Sequence, residues 1–227
     1  MRVSLKCVWH MMMTLKFTLI LLLLGLFSWG QTGSKPTINP YAKKLTDSAA
    51  RMTFQMTDSG YRKAILLLDQ ATAIDSSFFL AYYNKLVFQS QLQQYNKALV
   101  TCKNLIRIRP MAPDLYLTCG GLYEITGDSV SANKNFQTAL SLYNSITDTM
   151  STSNRNYDML SINKAIDLIL LDQQIKGNEL LKQLYNRQTD EAYKDLILSF
   201  MNKNRKELLE RIENQQPVTG SSNASVK

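Results

Sequence analysis

An all-α fold of antiparallel helix pairs is predicted by three observations. Residues of matching type return at a step of 34: Ala64, Ala98 and Ala132; Tyr61 and Tyr95; Tyr82 and Tyr116. Within a unit, apolar residues recur at three- and four-residue steps, as in the stretch from Tyr95 to Pro110. That is the period of an amphipathic helix, not of a strand. The units are also punctuated, by Pro110 beyond one helix and by Gly127-Asp128 between two others. Proline cannot readily continue a helix, and glycine tolerates the turn that must follow one.

The first thirty residues stand apart from this pattern. Arg2, Lys6 and Lys16 are basic, and no acidic residue occurs before Asp47. The uncharged apolar run from Phe17 to Ser28 follows. A membrane-spanning helix needs about 20 such residues. The shorter run has the form of a secretory signal peptide, with the small residues Ser28 and Gly30 placed for cleavage before Gln31. Met1, Met11, Met12 and Met13 all offer starts. No cysteine follows the run closely, which argues against a cysteine-linked lipid anchor. The expected organisation is a signal peptide over 1–30 and a linker over 31–40. The alternative is that the segment stays uncleaved and anchors the protein in a membrane.

Composition narrows the function classes. Trp9, Trp29 and His10 all lie before residue 31, so the remaining 197 residues contain neither tryptophan nor histidine. Three of the 26 basic residues and none of the 18 acidic ones lie there too, which leaves a net charge of +5. The excess is spread out. Lys103, Arg107 and Arg109 form one small cluster and Lys203, Arg205 and Lys206 another, without interleaved aromatics, so nucleic acid is not the expected partner.

From residue 41 the units follow in order. The first helix of the first pair, about 41–56, opens at Asn39-Pro40, a helix cap followed by a first-turn proline. Its second helix carries Tyr61, Ala64, Leu68 and Ala71. The third unit reads Tyr116-x-x-Cys119-Gly120-x-x-Tyr123, then Ala132-x-x-x-Phe136, then Ala139. This resembles the tetratricopeptide repeat (TPR), with Tyr116 in place of the usual tryptophan and Cys119 in place of leucine. The second unit keeps Tyr82, Leu86, Ala98 and Pro110, but has Gln89 where the pattern has tyrosine. The resemblance implies a right-handed solenoid, with three TPR-like pairs over 41–144. The alanines have a physical reason, since closely packed helices need a small side chain where their axes approach.

Past residue 144 the register breaks. Lys176-Gly177 looks like Thr126-Gly127, but 50 residues on. The reading is a fourth, lengthened pair at about 156–175 and 178–186, after a polar loop over 147–155. Helices at about 190–201 and 205–214 would cap the array, giving about four pairs plus capping helices over 145–214. Residues 215–227 read as a disordered tail.

No catalytic constellation appears. Without histidine, Ser-His-Asp and Cys-His arrangements are unavailable after residue 30, and no glycine-rich phosphate loop occurs. Asp190 and Glu191 open a helix; Glu207 and Glu210 sit among Lys206 and Arg211. No cofactor, metal or small-molecule substrate is indicated. Gly120-Gly121 lies within a helix, where close packing accounts for the first glycine. Cys102 and Cys119 read either as buried thiols or as a disulfide between adjacent repeats.

What remains is surface. The resemblance implies a concave face, lined by the first helix of each pair, that holds a peptide or protein segment. Tyr83, Asn84, Val87 and Gln91 would line it from the second unit, and Leu117, Thr118, Gly121, Glu124 and Ile125 from the third. Tyr83 would supply the most contact area. Some TPR co-chaperones clamp a carboxylate with basic residues, but Tyr83 and Thr118 stand where those would be. A nearly uncharged groove suits an extended or helical apolar segment. The expected function is an exported, non-catalytic scaffold, periplasmic or secreted. The alternative is a membrane-anchored assembly or regulatory subunit.

Overall fold

The computed structural model describes residues 37–52, 57–154 and 156–214. The expected signal peptide, most of the linker and the tail lie outside these residues. Among them the chain is helical and contains no strand. The helices are α1 (Pro40–Met52), α2 (Asp58–Ile74), α3 (Phe79–Gln91), α4 (Tyr95–Ile108) and α5 (Pro113–Ile125). They continue as α6 (Ser129–Thr147), α7 (Tyr157–Leu170), α8 (Gln174–Arg187), α9 (Glu191–Phe200) and α10 (Arg205–Asn214).

Local chemistry sets the starts. The Asn39 side chain accepts the backbone N–H groups of Tyr41 and Ala42 at 2.9 and 3.3 Å, so the Asn39-Pro40 cap of α1 forms as the sequence suggests. Thr57 caps α2 by accepting the Gly60 N–H at 3.1 Å. Asp190 caps α9 by accepting from Ala192 and Tyr193, which is the structural use of that carboxylate. Side-chain acceptors at these positions satisfy N–H groups that the helix itself leaves unpaired.

Three turns between successive helices share one construction. Gln93, Gly127 and Asp172 each adopt a left-handed backbone, at φ 56°, 84° and 60°. In each case the next N–H reaches back five residues: Gln94 to Gln89, Asp128 to Tyr123 and Gln173 to Leu168, at 2.8 to 2.9 Å. This closure satisfies the last carbonyls of α3, α5 and α7.

The third of these turns corrects the expected register. Lys176 and Gly177 do not form the turn of the fourth pair; both lie inside α8. The turn is at Asp172, 45 residues after Gly127, and α7 and α8 are of ordinary length at 14 residues each. The extra chain lies before them, in the 19-residue α6 and the connection that follows it. Gly177 instead takes the place that Ala64, Ala98 and Ala132 hold in earlier pairs. A Cβ there would stand 2.7 Å from the Ala165 carbonyl oxygen and 2.6 Å from Ile169 Cγ1. With the same offset Leu181 follows Leu68, Cys102 and Phe136, and all four are fully buried.

The pairs α1–α2, α3–α4, α5–α6 and α7–α8 pack internally and stack in chain order, and the first helices α1 and α3 also touch. The architecture is the expected all-α TPR solenoid. Packing explains its small residues. Ala98 has no exposed surface, so Ala98→Leu should destabilise the array by about 1–3 kcal/mol through overpacking. Denaturant melts showing no change would place this position outside the helix contact. Gln89, where the repeat pattern has tyrosine, is buried and accepts a 2.7 Å hydrogen bond from Thr101. A polar pair bridges α3 and α4 where a ring would otherwise pack.

The end of the array departs from a simple stack. α9 packs on α8. The sequence reads Arg205–Asn214 as a polar cap, but α10 folds back against α5 and α7, the first helices of the third and fourth pairs.

Candidate functional site

The candidate surface is the face lined by α1, α3, α5 and α7. On α3, Asn84, Val87 and Gln91 are half-exposed, and their spacing of three and four puts them on one side of the helix. The charge nearby is already engaged: Lys85 pairs with Asp69 of α2 at 2.5 Å. This stretch therefore presents amide and aliphatic groups and little charge.

Tyr83 is half-buried like Asn84 and Val87, but its ring is packed against neighbours. It stacks on Phe79 with ring centroids 6.1 Å apart and packs against the core shared by α3, α4 and α5. Burial, then the charge of Asp114, pushes its hydroxyl well above the ordinary tyrosine range. Tyr83→Ala should therefore lower stability by about 1–2 kcal/mol, as partial truncation of packed side chains does. A melting curve identical to that of the unaltered protein would show that the ring is free instead.

The third-unit residues are more enclosed. Leu117 and Gly121 are buried. Thr118 and Ile125 remain half-exposed, and the Thr118 hydroxyl donates to the Asp114 carbonyl at 2.8 Å. Glu124 is only 11% exposed at its side chain and receives Arg205 of α10. Arg205 also donates to Asn133 at 3.1 Å and to Asp172 at 3.2 Å. One guanidinium thus ties α10 to α5, α6 and the α7–α8 turn. Beside it lies a cleft of about 650 Å³, lined by Ile169, Asp172, Gln174, Arg205, Lys206 and Leu209 among others. A second cleft of about 520 Å³ lies by the inserted chain, around Met111, Leu142, Ile146 and Met150.

Beneath this face lies a polar cluster that the sequence reading does not single out. Asp114 on α5 is buried and accepts the Tyr143 hydroxyl at 2.5 Å and the Asn163 amide at 2.9 Å. Burial raises the Asp114 carboxyl, and these two hydrogen bonds oppose the rise. Asp167, one turn after Asn163 on α7, is wholly buried, and neither of its carboxylate oxygens has a hydrogen-bond partner. Its pKa is pushed up to about 8 by that burial. The members come from residues 29 and 49 positions apart, so no local motif announces them.

The other sequence candidates have structural surroundings. Cys102 and Cys119 are buried free thiols, and Cys102 lies 3.4 Å from the Leu115 carbonyl oxygen. The adjacent Cys119 and burial together push the Cys102 thiol well above its ordinary range. The basic residues on and just after α4 are engaged by neighbouring rings and a carbonyl. Lys103 lies over the Tyr123 ring, Arg107 donates to the Ser76 carbonyl at 2.8 Å, and Arg109 lies 3.8 Å from the centre of the Phe79 ring. Gly120 lacks a Cβ because the Phe136 ring occupies its space. Among the described residues no three His, Cys, Asp or Glu side chains are placed to hold a metal ion. None of the described helices is long and apolar enough to cross a membrane.

No family model and no curated protein matches this chain. Solved structures of TPR proteins do. TTC0263 of Thermus thermophilus, a thermophilic TPR protein, is 19% identical at a TM-score of 0.47. That match covers 77% of this chain and 87% of that one. YrrB, described as a TPR protein with an unusual peptide-binding site, is 16% identical at a TM-score of 0.46, over 78% and 88% of the two chains. MamA of Desulfovibrio magneticus RS-1 is 14% identical at a TM-score of 0.45, over 64% and 74%. The stacked helix pairs of this chain, and not these distant likenesses, are what give it its TPR-like solenoid architecture.

Proposed function

We propose that this protein is an exported, non-catalytic scaffold that holds a segment of another protein on the face lined by its first helices. The observation that carries the reading is the α3 surface. Asn84, Val87 and Gln91, spaced three and four apart, stay half-exposed on one side of α3. Half-open amide and aliphatic groups on a rigid helix offer hydrogen bonds and contact area to an incoming backbone. Export rests on the apolar run from Phe17 to Ser28 and the small residues before Gln31.

Photo-cross-linking in the native cell tests the surface. A photoreactive residue at position 84 or 87 should capture a protein partner. The same residue at position 100, where Val100 of α4 is 62% exposed, should not. Capture from position 87 should disappear when Asn84 and Gln91 are both replaced by lysine. Capture at all three positions, or at position 100 alone, would move the binding surface elsewhere. N-terminal sequencing of the native protein tests export: a first residue of Gln31 supports it, and an intact 1–30 segment supports the anchored alternative.

A further inference from the structure

The face over α5 and α7 is already filled, and what fills it is part of the same chain. α10 packs on these two first helices and on neither α6 nor α8 to a comparable extent. Its Leu208 is buried in the core that contains Leu117 and Ile166, and Leu209 is half-buried beside it. Arg205, three and four residues before these leucines, lies on the same side of the helix. Its guanidinium is gathered by Glu124, Asn133 and Asp172. These acceptors come from three different elements, and Glu124 lies 81 residues away in sequence. Planar, forked guanidinium donors suit such a set of convergent oxygens better than an ammonium group would.

The way α10 is held suggests an occupant that can leave. Among the side chains described on α10, only Leu208 is fully buried; Arg211 ties the helix to α9, donating to the Ser199 carbonyl at 2.5 Å and lying 4.7 Å from the centre of the Phe200 ring. Lys206 and Glu210 face outward as an exposed pair 3.7 Å apart. The cleft of about 650 Å³ along one flank leaves the seam between α10, α7 and the start of α8 unsealed. If α10 moved away, it would leave an apolar strip around Leu117 beside the enclosed carboxylate of Glu124 and the exposed one of Asp172. Two carboxylates call for a cation on whatever replaces α10.

We infer that α10 is the resident occupant of the first-helix face over α5 and α7. The same face takes from a partner a short amphipathic helix of like chemistry: an arginine, then leucines three and four residues later. This rests on the proposed binding role of the first-helix face, and it adds both the chemistry of the partner and the device that controls access. While α10 is seated, a partner segment must compete with it, so apparent affinity is reduced by the fraction of molecules that are closed.

The test uses the full chain and a labelled synthetic peptide spanning Lys203–Asn214, followed by fluorescence polarisation. Arg205→Glu places like charges at the latch and should release α10. The peptide should then bind this variant at least about 10-fold more tightly than it binds the unaltered chain. Adding Glu124→Arg restores an opposite pair with swapped signs, and the α10 amides should regain the exchange protection they have in the unaltered chain. Equal binding to the unaltered chain and to Arg205→Glu, with helicity intact, would overturn the inference. So would exchange of α10 between two copies in a dimer, which would make the occupant a second molecule of this chain. Should Arg205→Glu fail to fold, hydrogen exchange on the unaltered chain decides. The α10 amides must exchange at least about 10-fold faster than those of α5 and α7, because a local opening lies below global unfolding in free energy. Exchange of α10 only together with α5 and α7 would overturn the inference. The peptide result is separable from the α3 cross-links. Loss of peptide binding with intact capture at position 84 defeats the latch alone, and loss of capture defeats the wider reading.

Discussion

Asp167→Asn should stabilise the protein by roughly 3–5 kcal/mol at pH 8 and leave it nearly unchanged at pH 3. The Asp167 carboxyl is wholly buried without a hydrogen-bond partner, and burial pushes its pKa up to about 8. An ordinary aspartate titrates near 3.9, and each unit of difference corresponds to about 1.36 kcal/mol. The sign follows from the raised folded value. Below about pH 4 both folded and unfolded chains hold the proton, so the carboxyl costs no extra free energy. As pH rises from about 4 to about 8 the unfolded chain releases its proton and the folded chain must retain it, so stability falls through that window and levels off above it. Asparagine has nearly the same shape and no charge to release. Asp114 and Tyr143 belong to the same cluster, and Asp114 also has a raised carboxyl. Both are present in the two proteins, so their own titrations largely cancel in the comparison. Urea melts at pH 3, 5, 7 and 8 measure the difference. A stability gap that is the same at every pH would mean that Asp167 is solvated or paired.

The parts of this molecule that are legible in sequence are those in which one local contact recurs. Ala64, Ala98 and Ala132 each lie where a second helix meets its partner, and the 34-residue step follows from that repetition. The fourth pair escapes the sequence reading because glycine is not a dependable mark of the turn. A left-handed turn admits non-glycine residues at some cost, and Gln93 and Asp172 accept that conformation. Gly177 is a glycine for another reason, the close approach of α8 to the Ala165 carbonyl. Once the offset of 45 is seen, Gly177, Leu181 and Leu184 continue the series of Ala132, Phe136 and Ala139. The candidate surface is legible only as a set of helix positions. Which of those positions stay open depends on contacts that the repeat does not encode. Glu124 and Leu117 have the spacing of groove residues, yet Glu124 receives Arg205, and Leu117 shares a core with Leu208 of the same distant helix. The periodicity of α10 alone, charged on most sides, gives a solvated cap. Its single buried leucine and its latched arginine become informative only when the return of the chain is known.

Phe136→Ala should destabilise the protein by about 3–5 kcal/mol, the cost of emptying a well-packed aromatic site. It should also reverse the effect of a second substitution. Phe136 on α6 has no exposed surface, and its ring lies where a side chain on Gly120 of α5 would begin. A Cβ on Gly120 would stand 2.4 Å from ring carbon Cε1 and 2.5 Å from Cδ1. The ring is enclosed and has little room to retreat. In the unaltered protein Gly120→Ala therefore sets an overpacking cost of about 1–3 kcal/mol against a gain of up to about 1 kcal/mol from the better helix former. The net effect should be a loss. In the Phe136→Ala background the obstructing ring is gone, the methyl group enters the vacated space, and only the gain remains. Gly120→Ala should then stabilise by up to about 1 kcal/mol. Residues in contact show coupling free energies of about 0.5–3 kcal/mol, whereas independent sites add. Four denaturant melts close the cycle. A Gly120→Ala effect of the same sign and size in both backgrounds would show that Phe136 does not occupy the glycine's space. The α5–α6 contact, which sets the position of the first-helix face at Leu117 and Glu124, would then have to be drawn differently.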